Sequence, residues 1–194
     1  MTLRVFVDAN VLHSRTLRDW TFLLRLEGAD EMFQLHSTDD VVAETVRSLR
    51  RRFPLMRGLQ MGHVKEQILA SLDEIVPDFD PSIPYAGKDP NDRHVHAAAV
   101  AARADILLTS DRGLLEMPDQ DDLPYEVYAP DDFFLLVDDS ASGLVMRVTD
   151  RQRRYWSSKK KHRGLVGALQ DAGCPKFADR VNGHLRTLSG PTEA

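Results

Sequence analysis

The stretch Lys88–Leu115 (KDPNDRHVHAAAVAARADILLTSDRGLL) limits most strongly how this chain can fold. Asp89 is a good helix N-cap and Pro90 suits the first helical position, so the stretch predicts a helix start. Alanines and valines at helical spacing follow, and then a short apolar run that predicts a buried strand. Asp92 lies in the first turn of the helix, and Asp111 comes just after the strand. One helix–strand unit therefore supplies two carboxylates.

The N-terminus supplies a third carboxylate in the same kind of place. Leu3–Val7 (LRVFV) is an apolar run of strand length, and Asp8 follows it directly. Apolar residues at roughly helical spacing come next, so we expect a strand that ends in Asp8 and leads into a helix. An α/β fold begins in this way, with its functional end at the carboxyl edge of the strands.

The rest of the chain alternates between periodic segments and loops. Ser37 and Asp40 have capping-box spacing, and the predicted helix after them carries Glu44 among apolar neighbours. A carboxylate in such surroundings is costly unless it is paired or bound to a cation. Further elements are predicted over residues 61–72 (helix), 126–129 (strand), 131–137, 140–154 and 164–188 (helices). We predict one domain over residues 1–138 and a basic helical C-terminal extension over residues 139–194.

Composition excludes several classes of protein. The 194 residues contain one cysteine, Cys174, so an internal disulfide and a thiolate zinc cluster are excluded. No apolar run approaches the roughly 20 residues of a membrane span, and the N-terminus has no signal-peptide pattern. We therefore expect a cytoplasmic protein with no membrane partner.

Charge is distributed unevenly along the chain. Residues 1–150 contain 15 Lys and Arg against 27 Asp and Glu, a net charge of −12, whereas residues 151–194 contain 10 against 3, a net charge of +7. A polyanion would therefore be bound locally, if at all, since most of the chain is acidic. The candidate nucleic-acid contacts are Arg47, Arg51, Arg93, Arg154, Lys159, Lys160 and Lys161.

The acidic residues together predict a metal site. In a parallel sheet the carboxyl ends of the strands share one edge, so Asp8 and Asp111 can converge, with Asp92 above them and Glu44 on a flanking helix. Each acid alone could be an ordinary loop or first-turn residue. Together they would repel strongly, and oxygen ligands of this kind favour Mg²⁺ or Mn²⁺ over zinc. Such a site suits metal-assisted phosphodiester hydrolysis.

The four acids, in this order and on these elements, resemble the PIN-domain family of nucleases. The matching segments are VFVDANVL, VVAETVRSLRRR, DPNDRHVHAAAVAARAD and LLTSDRGLL, within residues 3–136. The chain looks most like the branch that contains VapC-type toxins of type II toxin–antitoxin systems, and its last helices look similar to an extension of some longer members. The resemblance implies a three-layer fold with a parallel sheet flanked by helices, Mg²⁺ or Mn²⁺, and cleavage of single-stranded RNA. It also implies an antitoxin partner and often a homodimer.

The resemblance places Asp8, Glu44, Asp92 and Asp111 at the family's acidic positions. Asn10, Thr109 and Ser110 match supporting polar positions, which could help to hold the carboxylates or a water. His94 and His96 form an HxH pair, but residues two apart on a helix do not face each other, so a shared metal site is disfavoured.

Two other classes of function remain open. A non-catalytic PIN-like module that binds RNA or protein would keep the fold without needing a complete acidic set. Another α/β hydrolase, such as a haloacid-dehalogenase-type phosphatase, would place a second aspartate where this chain has Asn10.

Overall fold

The computed structural model describes residues 2–29, 32–157 and 164–190. Five strands in this part form one fully parallel sheet. The strands are β1 (Leu3–Val7), β2 (Phe33–Ser37), β3 (Glu74–Ile75), β4 (Ile106–Leu108) and β5 (Glu126–Tyr128). Their order across the sheet is β3-β2-β1-β4-β5. The chain progresses outward from β1 to β3 and then returns to the other side of β1, so β1 and β4 flank the point where the strand order reverses. Ligands of open α/β sheets bind at the carboxyl ends of the strands at this point.

Helices flank the sheet, which confirms the predicted α/β fold with C-terminal helices. The α-helices in the described residues are α1 (Ala9–His13), α2 (Arg15–Glu27), α3 (Asp39–Arg52), α4 (Gly58–Ser71), α5 (Arg93–Ala101), α6 (Arg112–Leu115), α7 (Pro130–Ser157), α8 (Gly164–Asp171) and α9 (Pro175–Ser189). Short 3₁₀ turns cover Pro90–Asp92 and Gln120–Asp122.

The two central strands form the middle of the core. Val5, Phe6 and Val7 of β1 are fully buried, as are Leu107 and Leu108 of β4. A parallel strand that is covered on both faces needs such a continuous apolar run rather than an alternating one. Both runs end in polar residues, which places the polar residues at one edge of the sheet.

Two local predictions were wrong in detail, and one strand was not predicted. The predicted first helix is broken at Ser14, whose extended backbone and side chain cap α2. The N-cap of α3 is Thr38, whose hydroxyl accepts from Val41 N at 3.2 Å, rather than Ser37. Ser37 ends β2, a strand that the polar residues in FQLHS concealed, and its hydroxyl donates to the Val7 carbonyl.

The C-terminal helices share the core of the sheet domain. The predicted helix over residues 164–188 is two helices, separated by Gly173 in the left-handed region (φ 81°) before Pro175 starts α9. Phe177 of α9 is fully buried, with its ring centroid 4.9 Å from Trp20 of α2 and 5.0 Å from Phe134 of α7. Helix α7 runs through residue 138, and its one non-helical residue is Ala141. The division into 1–138 and 139–194 stays a prediction.

None of the helices in the described ranges combines the length and the apolar character that crossing a membrane requires.

Candidate active site

Asp8 sits at the carboxyl end of β1, beside β4. It is 6% exposed, and its carboxylate accepts hydrogen bonds from Ala9 N (2.6 Å), Asn10 Nδ2 (2.6 Å) and the Thr109 hydroxyl (2.7 Å). The first bond also makes Asp8 the N-cap of α1. A buried carboxylate needs such donors because burial removes the water that would otherwise solvate it.

Asn10 and Thr109, both predicted supporting residues, connect the ends of the two central strands. Asn10 Nδ2 donates to Thr109 Oγ1 at 2.9 Å as well as to Asp8, and Thr109 Oγ1 also accepts from Asp111 N at 3.0 Å. Ser110 takes part through its backbone, since its N–H donates to Asn10 Oδ1 at 2.8 Å. These bonds hold Asp8 and Asp111 in fixed positions relative to each other.

Asp111 and Asp92 converge on the space above Gly113. Asp111 caps α6, with Oδ1 accepting from Gly113 N at 2.6 Å and from Leu114 N at 3.3 Å. Asp92 ends the 3₁₀ turn that leads into α5. A Cβ atom at Gly113 would lie 3.0 Å from Asp111 Oδ1 and 3.3 Å from Asp92 Oδ2. Because Gly113 has no Cβ atom, the space beside these two carboxylate oxygens stays open. We call this space, bordered by Asp92, Asp111 and Gly113, the cradle.

Glu44 approaches the other acids from α3 and is more accessible than the buried Asp8. Its side chain is 45% exposed, and His94 Nε2 of α5 lies 3.8 Å from its Oε2. Glu44 and Asp111 both act electrostatically on Asp8. The four predicted acids thus belong to one electrostatic group, with Glu44 at its solvent-exposed side.

Crowding shifts the titration of two of these acids. Burial raises the pKa of Asp8, with smaller contributions from the charges of Glu44 and Asp111. Burial, followed by the charges of Asp111, Asp89 and Asp8, raises the pKa of Asp92 to about 6. Both shifts mean that the charged form of the carboxylate is disfavoured, first by burial and then by the neighbouring charges, and a divalent cation bound there would offset both effects.

The donor set fits a hard divalent cation. All four predicted ligands are carboxylates, the preferred ligands of Mg²⁺ and Mn²⁺, and the cradle above Gly113 is lined by two of them. As the side chains stand, no three acidic, histidine or cysteine residues in the described part of the chain are close enough together to hold a metal ion. Binding would therefore require side-chain rotation, which the partly exposed Glu44 and Asp92 can provide.

The raised pKa of Asp92 predicts a pH-dependent stability difference. The pKa of Asp92 in the folded protein (about 6) exceeds its ordinary value of 3.8, so between these values the folded state binds more protons and stability falls as pH rises. Without divalent ions, Asp92→Asn should be more stable than the wild type at about pH 8, with the difference shrinking towards about pH 4. Thermal melts in EDTA measure this, with Asp89→Asn, which removes a nearby charge, as the control. A difference that does not change with pH would contradict it.

The predicted basic contacts are spread over several elements. Arg47 and Arg51 are exposed on α3, and Arg93 is exposed directly after Asp92. Arg154 is exposed on α7, where it pairs with Asp150. Lys159, Lys160 and Lys161 lie outside the described residues.

The structure places the two histidines of the HxH pair in different surroundings. The Nδ1 atom of buried His96 lies 2.6 Å from the Tyr125 hydroxyl, whereas His94 faces Glu44. Sequence reasoning missed Tyr85, whose hydroxyl lies 3.5 Å from Asp92 Oδ2, and the cradle at Gly113. Neither carries a strong local signal, since a tyrosine in a proline-containing loop and a glycine two residues after an aspartate are both common.

A family model described as PIN domain matches residues 4–113, a range that contains all four acids. This match covers more than half of the sequence and indicates a nuclease-type protein, and the chain belongs to the PIN-domain family. PIN domains are generally metal-dependent nucleases. Neither the curated proteins nor the solved structures gave a match.

Proposed function

We propose that this chain is a metal-dependent endoribonuclease of the cytoplasm and the toxin component of a type II toxin–antitoxin system. The observation that carries the nuclease proposal is the convergence of Asp8, Asp92 and Asp111 at the reversal point of a PIN-domain sheet. The surroundings of Asp92 also raise its pKa to about 6, which disfavours the charged carboxylate unless a cation is bound. This supports a ligand role for Asp92 over a purely structural one.

Asp8, Glu44, Asp92 and Asp111 would hold Mg²⁺ or Mn²⁺. The ion would supply Lewis-acid activation of the attacking water and would offset the negative charge that develops on the phosphoryl oxygens. The protein orients these carboxylates beforehand, because Asn10 and Thr109 fix Asp8 and the α6 amides fix Asp111. Such preorganisation removes a reorganisation cost from the reaction.

The proposed path of the RNA follows the exposed side of α3. Glu44, Arg47 and Arg51 are three and four residues apart, so they lie on one face of the helix, with the arginines one and two turns beyond the acid. Both arginines are exposed and have no ion pair within the described part of the chain. They can therefore neutralise phosphates that lead away from the acidic group, whose charge would otherwise repel RNA.

The double variant Arg47→Ala, Arg51→Ala should bind RNA more weakly and leave the bond-breaking step intact. Each phosphate contact with a single strand contributes about 0.7 to the slope of log affinity against log salt, so we expect the slope to fall by about 1.4. The KM should rise on the order of tenfold with kcat unchanged. Cleavage kinetics at several salt concentrations measure this. The double variant Arg147→Ala, Arg186→Ala is the control, because it removes the same charge from α7 and α9. An equal effect in this control would contradict the proposed RNA path along α3.

The nuclease proposal is tested with purified protein and a mixed pool of single-stranded RNA, in Mg²⁺, Mn²⁺ or EDTA. We expect cleavage with either metal, none in EDTA, and less on duplex RNA. Calorimetric titration with Mn²⁺ accompanies the assay. Metal binding without cleavage would support the enzyme proposal and indicate a narrow RNA target. The absence of both metal binding and cleavage would favour the non-catalytic binding module. Cleavage in EDTA would contradict the metal requirement.

The toxin role makes a separate prediction about cells. Induced expression should arrest bacterial growth, and the Asp92→Asn protein, expressed to the same level, should not. Normal growth with a nuclease that is active in vitro would contradict the toxin role and leave the enzyme assignment intact.

A surface on the α3–α4 hairpin supports a protein partner. Leu55 and Leu59 are 95% and 91% exposed, and Phe53 is 44% exposed with the Arg52 guanidinium over its ring. This hairpin surface, with Arg57, is basic and apolar, and it adjoins a groove of about 1200 Å³ lined by Phe22, Leu26, Phe53 and Met56. Large exposed apolar groups indicate protein contacts, and the arginines suit an acidic segment.

We therefore propose that an acidic amphipathic segment of the antitoxin binds there. A second copy of the chain is the alternative occupant. Light scattering of the wild type and of Leu55→Ser, Leu59→Ser distinguishes the two. A dimer that the double variant dissociates would assign the hairpin surface to self-association.

A further inference from the structure

Tyr85 approaches the acidic group from a loop that carries none of the four acids. It lies between β3 and the 3₁₀ turn, and its hydroxyl is 3.5 Å from Asp92 Oδ2. A phenol is protonated at neutral pH and acts as a hydrogen-bond donor, because its ordinary pKa is about 10. The Tyr85 hydroxyl can therefore donate a hydrogen bond to the Asp92 carboxylate.

The ring of Tyr85 is held in place by buried neighbours. Its centroid lies 5.6 Å from the His96 imidazole of α5. His96 is 4% exposed and interacts with the Tyr125 hydroxyl at Nδ1 and with the backbone carbonyl of Pro84, the residue before Tyr85. The second of these contacts ties the loop to α5, the helix that follows Asp92. The position of the phenol is therefore coupled to the core rather than to solvent.

Gly87 leaves the space that this ring position needs. A Cβ atom at Gly87 would overlap Cζ and the hydroxyl oxygen of Tyr85 and would lie 2.7 Å from Cε1. Real Cβ atoms do not tolerate such approaches, so any other residue at position 87 would displace the ring. The glycine is thus required by the close approach of Tyr85, and the contact between Tyr85 and Asp92 depends on it.

We propose that Tyr85 is a positioning residue for Asp92. The Tyr85 hydroxyl donates a hydrogen bond to Asp92 Oδ2 and sets the rotation of that carboxylate towards Asp111 and the cradle above Gly113. This rests on the proposed function, in which Asp92 is a metal ligand. Within the described part of the chain, Tyr85 supplies the side-chain hydrogen bond to Asp92, whereas Asp8 has three donors and Asp111 has two backbone donors. Partners that orient metal ligands typically contribute about 10-fold to 100-fold to metal affinity or activity.

Two variants separate the hydroxyl from the ring. Tyr85→Phe keeps the ring and its contact with His96 but removes the donor. Gly87→Ala keeps the donor but displaces the ring. We expect each to weaken Mn²⁺ binding to the metal-free protein about tenfold in calorimetric titration, and to lower kcat to a similar extent with KM for RNA unchanged. The double variant should be no weaker than either single one, because both remove the same interaction.

Tyr128→Phe is the matched control, because it removes a phenol hydroxyl that interacts with Glu126, a carboxylate that is not one of the four acids. It should leave Mn²⁺ affinity and kcat at the wild-type values. If Tyr85→Phe behaved in the same way, Tyr85 would have only a structural role and the proposal would be overturned.

Asp92→Asn serves as the reference. If it loses metal binding and cleavage while Tyr85→Phe loses neither, only the role of Tyr85 fails. If Asp92→Asn also retains both, the proposed site itself fails.

Discussion

The Asp92→Asn protein is expected to remain folded and to lose RNA cleavage by about a thousandfold or more, equivalent to roughly 4 kcal/mol of transition-state stabilisation. The substitution removes a charge that faces Asp111 across the cradle, and the amide oxygen can still accept from Tyr85. Because the charged carboxylate is disfavoured without a cation, the variant should melt no lower than the wild type at neutral pH. Single-turnover cleavage in Mn²⁺ and thermal melts of the same samples measure both effects.

Asp89→Asn is the control for this result. Asp89 caps the 3₁₀ turn by accepting from Asn91 N at 2.8 Å, and asparagine caps about as well as aspartate. This variant should keep its activity. Equal losses of activity in the two variants would show that the loss comes from the change in net charge and not from the loss of a metal ligand. Full activity in Asp92→Asn would show that Asp92 is not part of the site.

Asp8→Asn should be equally inactive for a partly different reason. Whichever way the new amide is oriented, its N–H₂ faces a donor, either Ala9 N or the side-chain donors of Asn10 and Thr109, which now bond to the same carboxylate oxygen. A buried donor without an acceptor costs about 1–3 kcal/mol, so Asp8→Asn should also melt lower. Comparison of the two variants therefore separates the catalytic role from the structural one.

Phe177→Ala is expected to lower the free energy of unfolding by roughly 3–5 kcal/mol, the usual cost of removing a fully buried aromatic ring. Phe177 contacts Trp20 in an edge-to-face arrangement and also packs on Phe134, so the change leaves a cavity where α9, α2 and α7 meet. Urea unfolding followed by fluorescence of the two tryptophans measures this. Asp179→Ala, an exposed change on the same helix, should stay within about 0.5 kcal/mol.

The same measurement tests the predicted division at residue 138. A shared core predicts one cooperative transition whose midpoint moves in the Phe177→Ala protein. Two transitions, of which only one moves, would support separate folding of the C-terminal extension. An effect of Phe177→Ala no larger than that of Asp179→Ala would contradict the packing at the junction.

Much of the architecture was predictable because local patterns report burial. LRVFV and ILL are continuous apolar runs, and a parallel strand buried on both faces requires them. β2 was missed because FQLHS contains three polar residues, and Ser37 and His36 become buried only by pairing with neighbouring groups. The helix breaks at Ser14 and Gly173 were missed because apolar periodicity continues across them.

The sequence by itself determined which acids stand at strand ends and helix starts, and therefore which residues could form a site. The tertiary structure alone decided that Asp8 bonds to Thr109, 101 residues away, that Asp111 and Asp92 converge above Gly113, and that Tyr85 reaches Asp92. The physical reason is that periodicity encodes which face of each element is buried. The distances between side chains on different elements depend instead on the order of the strands and on where backbone segments approach each other closely. No single segment of the sequence specifies either of these.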